Sequence, residues 1–66
     1  MRLTVNGKVM HLAHEMSISE FLRSRGLVEA LVAVERNLDW TSREDWPAIM
    51  LQEDDRLEVV RIMAGG

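Results

Sequence analysis

Met1-Arg2-Leu3-Thr4-Val5-Asn6-Gly7-Lys8-Val9-Met10-His11-Leu12 decides how the rest of the chain can fold. Met1, Leu3 and Val5 alternate with Arg2 and Thr4, the period of two that marks a half-buried strand. Asn6-Gly7 is the strongest short hairpin signal, because a type I′ turn needs φ > 0 at both central residues. A two-residue loop also sets the register. Val5 then faces Lys8, Leu3 faces Met10 and Met1 faces Leu12, all on one side of the sheet. Leu3, Val5, Met10 and Leu12 are therefore expected in the core, with Val9 and His11 on the opposite side.

Next comes a helix entry, Met16-Ser17-Ile18-Ser19-Glu20-Phe21. Ser17 can cap the helix, Glu20 can reach back, and Met16 and Phe21 can form a hydrophobic staple. Ile18, Phe21 and Leu22 give one apolar face, and Gly26 suits the left-handed residue that ends a helix. The spacing predicts a short helix over 18–25. A helix of that length persists only by packing on a sheet.

Residues 31–36, β-branched at Val32 and Val34, read as a strand that turns at Asn37. A helix over 28–35 lacks a start signal. Ser42-Arg43-Glu44-Asp45 looks like a second capped start, kept short by Pro47, with Trp46 placed to close the core. Trp40 and Trp46 read as core lids or partner contacts, with core or rim the expectation. Ala48 to Leu51 forms a short apolar piece, Glu53-Asp54-Asp55 a solvated polar turn, and Leu57 to Ile62 the last strand. Two strands, a helix and two further strands in so short a chain have one economical solution. It is an α+β fold, a mixed sheet of four to five strands wrapped on one helix: the ubiquitin-like β-grasp. The first and last strands would lie side by side and parallel. One domain over 1–62 would carry a flexible tail, 63–66.

The bounds agree with a small carrier or binding module. A chain of 66 residues suffices for one domain, which buries only about 60% of its unfolded surface. With 47% hydrophobic residues it can still build a core, and without cysteine it has neither disulfides nor Cys-based zinc sites. Net charge is −3, and seven arginines and one lysine are scattered, so no basic stripe points to nucleic acid. The longest apolar run, Ala30 to Val34, is far too short to span a bilayer, and no secretory pattern is read at the start. A cytoplasmic location is the expectation. His11 and His14 read as surface histidines rather than metal ligands. There is no supported nucleophilic triad, phosphate loop or metal motif, and the expectation is a protein that is not an enzyme and binds no cofactor itself.

The chemistry is expected at the end. If Leu57 and Val59 point inward, Glu58, Val60 and Ile62 point outward as a docking patch. Beyond them Met63, Ala64, Gly65 and Gly66 are small or unbranched and, when extended, reach roughly 13 Å. Such a tail can thread a narrow channel. A terminal carboxyl, with a reference pKa of about 3.3–3.7, is anionic at neutral pH and able to attack phosphorus. With no Cβ at Gly66, its terminal carbonyl is left open to attack.

These residues together resemble the ThiS sulfur-carrier family. The likeness rests on Asn6-Gly7, on Val32-Ala33-Val34-Glu35-Arg36-Asn37, on Arg43 with Trp46, on Asp55-Arg56-Leu57-Glu58-Val59-Val60-Arg61, and on Gly65-Gly66. It covers nearly the whole chain. Thr41-Ser42 stands where Val-Pro is common, Asp54 where a turn glycine is usual, and Ala64 where a third glycine is frequent. The resemblance implies a carrier for the sulfur of the thiamine thiazole ring. An E1-like ThiF-type enzyme, using ATP and magnesium, would adenylate Gly66, and a cysteine-derived persulfide would convert it to a thiocarboxylate. A ThiG-type thiazole synthase would receive the sulfur. Two alternatives stay open: a MoaD-like carrier for molybdopterin or a ubiquitin-like modifier, and a plain β-grasp interaction module.

Overall fold

The computed structural model describes residues 1–62. Strands β1 (Arg2–Val5) and β2 (Lys8–His11) form the expected antiparallel hairpin, with Val5 opposite Lys8 and Leu3 opposite Met10. Asn6 and Gly7 sit at φ 50° and 82°, the left-handed pair that a type I′ turn demands. Three more strands complete the sheet: β3 (Val32–Arg36), β4 (Asp39–Trp40) and β5 (Arg56–Arg61). Their order is β2-β1-β5-β3-β4, with β5 parallel to β1 and antiparallel to β3. The last strand is therefore central and parallel to the first, as the element order implied.

Helix α1 (Ile18–Ser24) starts at a complete capping box. Ser17 Oγ accepts from the Glu20 N–H at 3.1 Å, and Glu20 Oε1 accepts from the Ser17 N–H at 2.8 Å. That bond from the Ser17 backbone is the main reason the Glu20 carboxyl is held below its ordinary pKa. The helix ends in a Schellman turn: Leu27 N–H donates to Leu22 O, Gly26 N–H donates to Arg23 O, and Gly26 has φ 72°. Ile18, Phe21 and Leu22 are buried against Leu3, Val34 and Leu57 of the sheet. Met10 and Leu12, expected in the core, are half-buried at its margin because α1 is too short to cover the outer hairpin strand.

Trp46 closes the core at 1% exposure, while Trp40 is 63% exposed. The Trp46 indole N–H donates to Thr41 Oγ1 at 2.7 Å, and that hydroxyl donates to Val34 O at 2.7 Å. The buried ring is thus satisfied through one hydroxyl bridging to β3. Ser42 starts the expected turn, a 3₁₀ segment over Arg43–Asp45, but no side-chain cap bond forms. A second 3₁₀ turn, Glu29–Leu31, precedes β3, so the strand begins at Val32 rather than at Leu31.

The acidic turn departs from its expected form. Asp54 does occupy a glycine-like conformation, φ 67°, and Arg2 Nη2 and Nε reach its Oδ1 at 2.7 and 2.9 Å. Asp55, however, is buried rather than solvated. Its carboxylate accepts from Arg36 Nε at 2.9 Å, Asn37 Nδ2 at 3.0 Å and the Gln52 N–H at 2.8 Å. Burial works to raise its pKa, but these donors outweigh it and the net shift is downward. A depressed folded pKa means stability that is present above the unfolded value, about 3.9, and is lost as pH falls through the folded value. Urea midpoints of the wild type should therefore drop on acidification below about pH 4. Asp55→Asn should start lower at neutral pH and depend less on pH across that window. Parallel curves for the two proteins would show that Asp55 carries no such linkage.

Candidate functional site

β5 is fastened on both flanks by asparagines from the two hairpin turns. On one flank the Asn37 N–H donates to Arg56 O at 2.8 Å, and Asn37 Oδ1 accepts from the Arg56 N–H at 2.9 Å. On the other, the Asn6 N–H donates to Leu57 O at 2.9 Å. The Asn6 side chain continues that ladder where β1 has already turned away. Its Oδ1 accepts from the Val59 N–H at 2.8 Å and its Nδ2 donates to Val59 O at 3.3 Å.

The register of β5 is the one its alternation predicted. Leu57 is buried at 1% exposure and Val59 packs partly against the core. Glu58, Val60 and Ile62 face the uncovered side, Val60 at 47% and Ile62 at 42% exposure. Ala33 lies opposite Val60, Glu35 opposite Glu58, and Trp40 opposite Glu35. Directly paired residues share a face, so Trp40 joins this surface. Trp40 is thus outside the core, because β4 returns beside β3 and carries it onto the exposed face.

The uncovered face is an amphipathic platform. Val60, Ile62 and Trp40 supply apolar area, and Glu58 and Glu35 set two carboxylates directly across from each other. Arg56 lines the same hollow as these two carboxylates, so the face carries its own cation beside them. On the helix side an open groove of about 340 Å³ is lined by Val5, Met10, Phe21 and Val59, with Arg25 and Arg61 beside them. This groove pairs no nucleophile with a base. Among the described residues no three His, Cys, Asp or Glu side chains gather into a metal site. His11 and His14 are both exposed. No described helix is long and apolar enough to cross a membrane. The segment expected to thread a channel, Met63, Ala64 and Gly65, and the expected modification point, Gly66, lie outside the described residues.

A mixed five-stranded sheet on one helix, with its last strand central and its far face uncovered, defines a β-grasp protein of the ubiquitin-like class. The model of the ThiS family matches residues 3–66, and the chain belongs to that family. The crystal structure of a thiamine biosynthesis protein (ThiS) from Geobacter metallireducens superposes with a TM-score of 0.85 at 33% identity, all of each chain being covered. A solution NMR structure of a thiamine biosynthesis protein from the same organism gives 0.81, also at 33% identity, covering all of this chain and 88% of that one. Among curated relatives, thiazole synthases of Paramagnetospirillum magneticum and Magnetococcus marinus are 30% and 36% identical over 66 residues. The chain spans 20% of the length of each of these.

Proposed function

We propose that this chain is a sulfur carrier, acting as a co-substrate rather than an enzyme, whose cargo is held as a thiocarboxylate on Gly66. The observation that carries the reading is the placement of β5. A central strand, held on both flanks, presents Val60 and Ile62 outward and leads directly into Met63-Ala64-Gly65-Gly66. Membership of the ThiS family supports it.

In this reading a ThiF-type enzyme binds ATP and magnesium and receives the tail. A Gly66 carboxylate oxygen attacks the α-phosphorus, the bond to pyrophosphate breaks, and an acyl adenylate forms. The terminal sulfur of a cysteine-derived persulfide then attacks the acyl carbon and AMP leaves with the bonding electrons. A thiol cleaves the resulting S–S bond, forming a disulfide and freeing the thiocarboxylate. A ThiG-type thiazole synthase takes up the sulfur for the thiazole ring of thiamine. That partnership is supported by the thiazole synthases above, in which the segment similar to this chain is part of a longer polypeptide.

Adding residues after Gly66 tests the reading against that of a plain interaction module. Extension turns the carboxylate into an amide, which cannot be adenylated. The extended chain should fold normally yet gain no sulfur when incubated with activating enzyme, ATP, magnesium and a sulfur donor. An extended chain that supports thiazole formation as well as the wild type would leave only a binding role.

Docking is tested separately. Val60→Asp should leave the unfolding midpoint nearly unchanged, since the side chain faces outward, while weakening the complex with the activating enzyme at least about tenfold. The cause is an unpaired carboxylate placed in an apolar interface. Unchanged affinity in titration calorimetry would remove Val60 from the interface.

A further inference from the structure

We infer that Asn6 is a positioning residue for the tail: its side-chain amide stands in for a missing stretch of β1 and holds the exit of β5 in line. This rests on the sulfur-carrier reading above. Strand β1 stops at Val5, and the chain reverses through Asn6 and Gly7. A continuing parallel strand would have supplied one donor and one acceptor to Val59. The carboxamide of Asn6 supplies both, at 3.3 and 2.8 Å. Its orientation is settled by its partners, since a flipped amide would set donor against donor and acceptor against acceptor.

Location gives the clamp its consequence. Pairing of β5 with β1 ends at Leu57, opposite Val5; beyond it β5 keeps its pairs with β3 on the other flank, Val59 with Val34, Val60 with Ala33 and Arg61 with Val32, and the Ile62 N–H donates to Leu31 O at 2.8 Å. Without the Asn6 amide, the stretch from Val59 onward is paired on one flank only. An end paired on one flank opens locally at small cost, so the root at Ile62 is held less firmly. Productive attack needs the Gly66 carboxylate within about 3–3.5 Å of phosphorus, so scatter at the root lowers the fraction of bound tails that react. Asn37, by contrast, holds the entry of β5 at Arg56 and leaves the exit to Asn6.

The test uses Asn6→Gly, which tolerates the left-handed turn and removes the side chain with its amide. Asn6→Asp serves as the second variant; it retains the acceptor for the Val59 N–H and loses the donor to Val59 O. Two readouts are taken at a temperature where circular dichroism shows every protein fully folded. In single-turnover conversion with activating enzyme in saturating excess, Asn6→Gly should slow thiocarboxylate formation about five- to tenfold, with Asn6→Asp between it and the wild type. Saturation removes weak binding as the cause, and complete folding removes stability. In amide exchange of the protein alone, both Val59 and Ile62 should lose protection in Asn6→Gly. Ile62 is the telling position, because Asn6 does not touch it. Wild-type turnover in the folded variants, or loss of protection at Val59 with none at Ile62, would overturn the role of Asn6. If the wild type itself takes no sulfur, the carrier reading fails, and exchange at Ile62 still decides whether Asn6 holds the strand exit.

Discussion

Deleting Gly66 should abolish sulfur acceptance while leaving the fold intact. The deletion moves the carboxylate back by one residue, roughly 3.3–3.6 Å at full extension. That step is as large as the whole near-attack distance of about 3–3.5 Å, so the shortened tail cannot bring its oxygen to the α-phosphorus. β5 cannot slide forward to compensate, because five residue pairs with β3 and the amides of Asn6 and Asn37 fix its register. Gly66→Ala keeps the carboxylate in place and adds one methyl group. Its conversion should be strongly slowed rather than absent if the partner channel is as narrow as a glycine requires. Intact mass after incubation with activating enzyme, ATP, magnesium and a sulfur donor reads both variants. Sulfur gained by the chain lacking Gly66 would move the reactive group elsewhere.

Trp46→Ala should cost about 3–5 kcal/mol, the usual range for truncating a buried aromatic ring. Domains in general have only about 5–15 kcal/mol in hand, and small ones sit low in that range, so partial unfolding at room temperature is expected. Two effects add. The ring is 1% exposed and belongs to the core cluster, so its removal leaves a cavity there. It also deprives Thr41 Oγ1 of its donor, while Thr41 still bonds Val34 O. Trp46→Phe restores most of the volume but not the indole N–H and should fall between. Urea titration followed by far-ultraviolet circular dichroism measures the series. A midpoint for Trp46→Ala close to that of the wild type would mean that the ring does not anchor the core.

Where a local rule dictates the geometry, the sequence is legible. Asn6-Gly7 admits one hairpin, Ser17 with Glu20 admits one helix start, and the alternation of Leu57 to Ile62 has one inward phase once β5 is central. The resemblance carried by Val32–Asn37, by Asp55–Arg61 and by Gly65-Gly66 led to the family whose model matches residues 3–66. What escaped depends on contacts between distant segments. The β3–β4 hairpin turns at Asn37-Leu38, with Leu38 at φ 73°, a conformation costing a residue with a Cβ roughly 1–2 kcal/mol. With no glycine to mark it, the returning strand Asp39–Trp40 has no local signal, and nothing in the sequence decides between core and exposed face for Trp40. Asp55 reads as one acid among three. Its burial follows only from Arg36 and Asn37, nineteen and eighteen residues away, being brought beside it. The bond between Asn6 and Val59 spans 53 residues and leaves no local signature.

The most direct measurement is fragmentation mass spectrometry of the intact wild-type chain after incubation with a ThiF-type enzyme, ATP, magnesium and a persulfide donor. Exchange of one oxygen for sulfur is expected, confined to C-terminal fragments that contain Gly66 and absent when ATP is withheld. A chain that takes up no sulfur under conditions where the enzyme is shown to be active, or one whose sulfur resides on fragments lacking Gly66, would contradict the assignment.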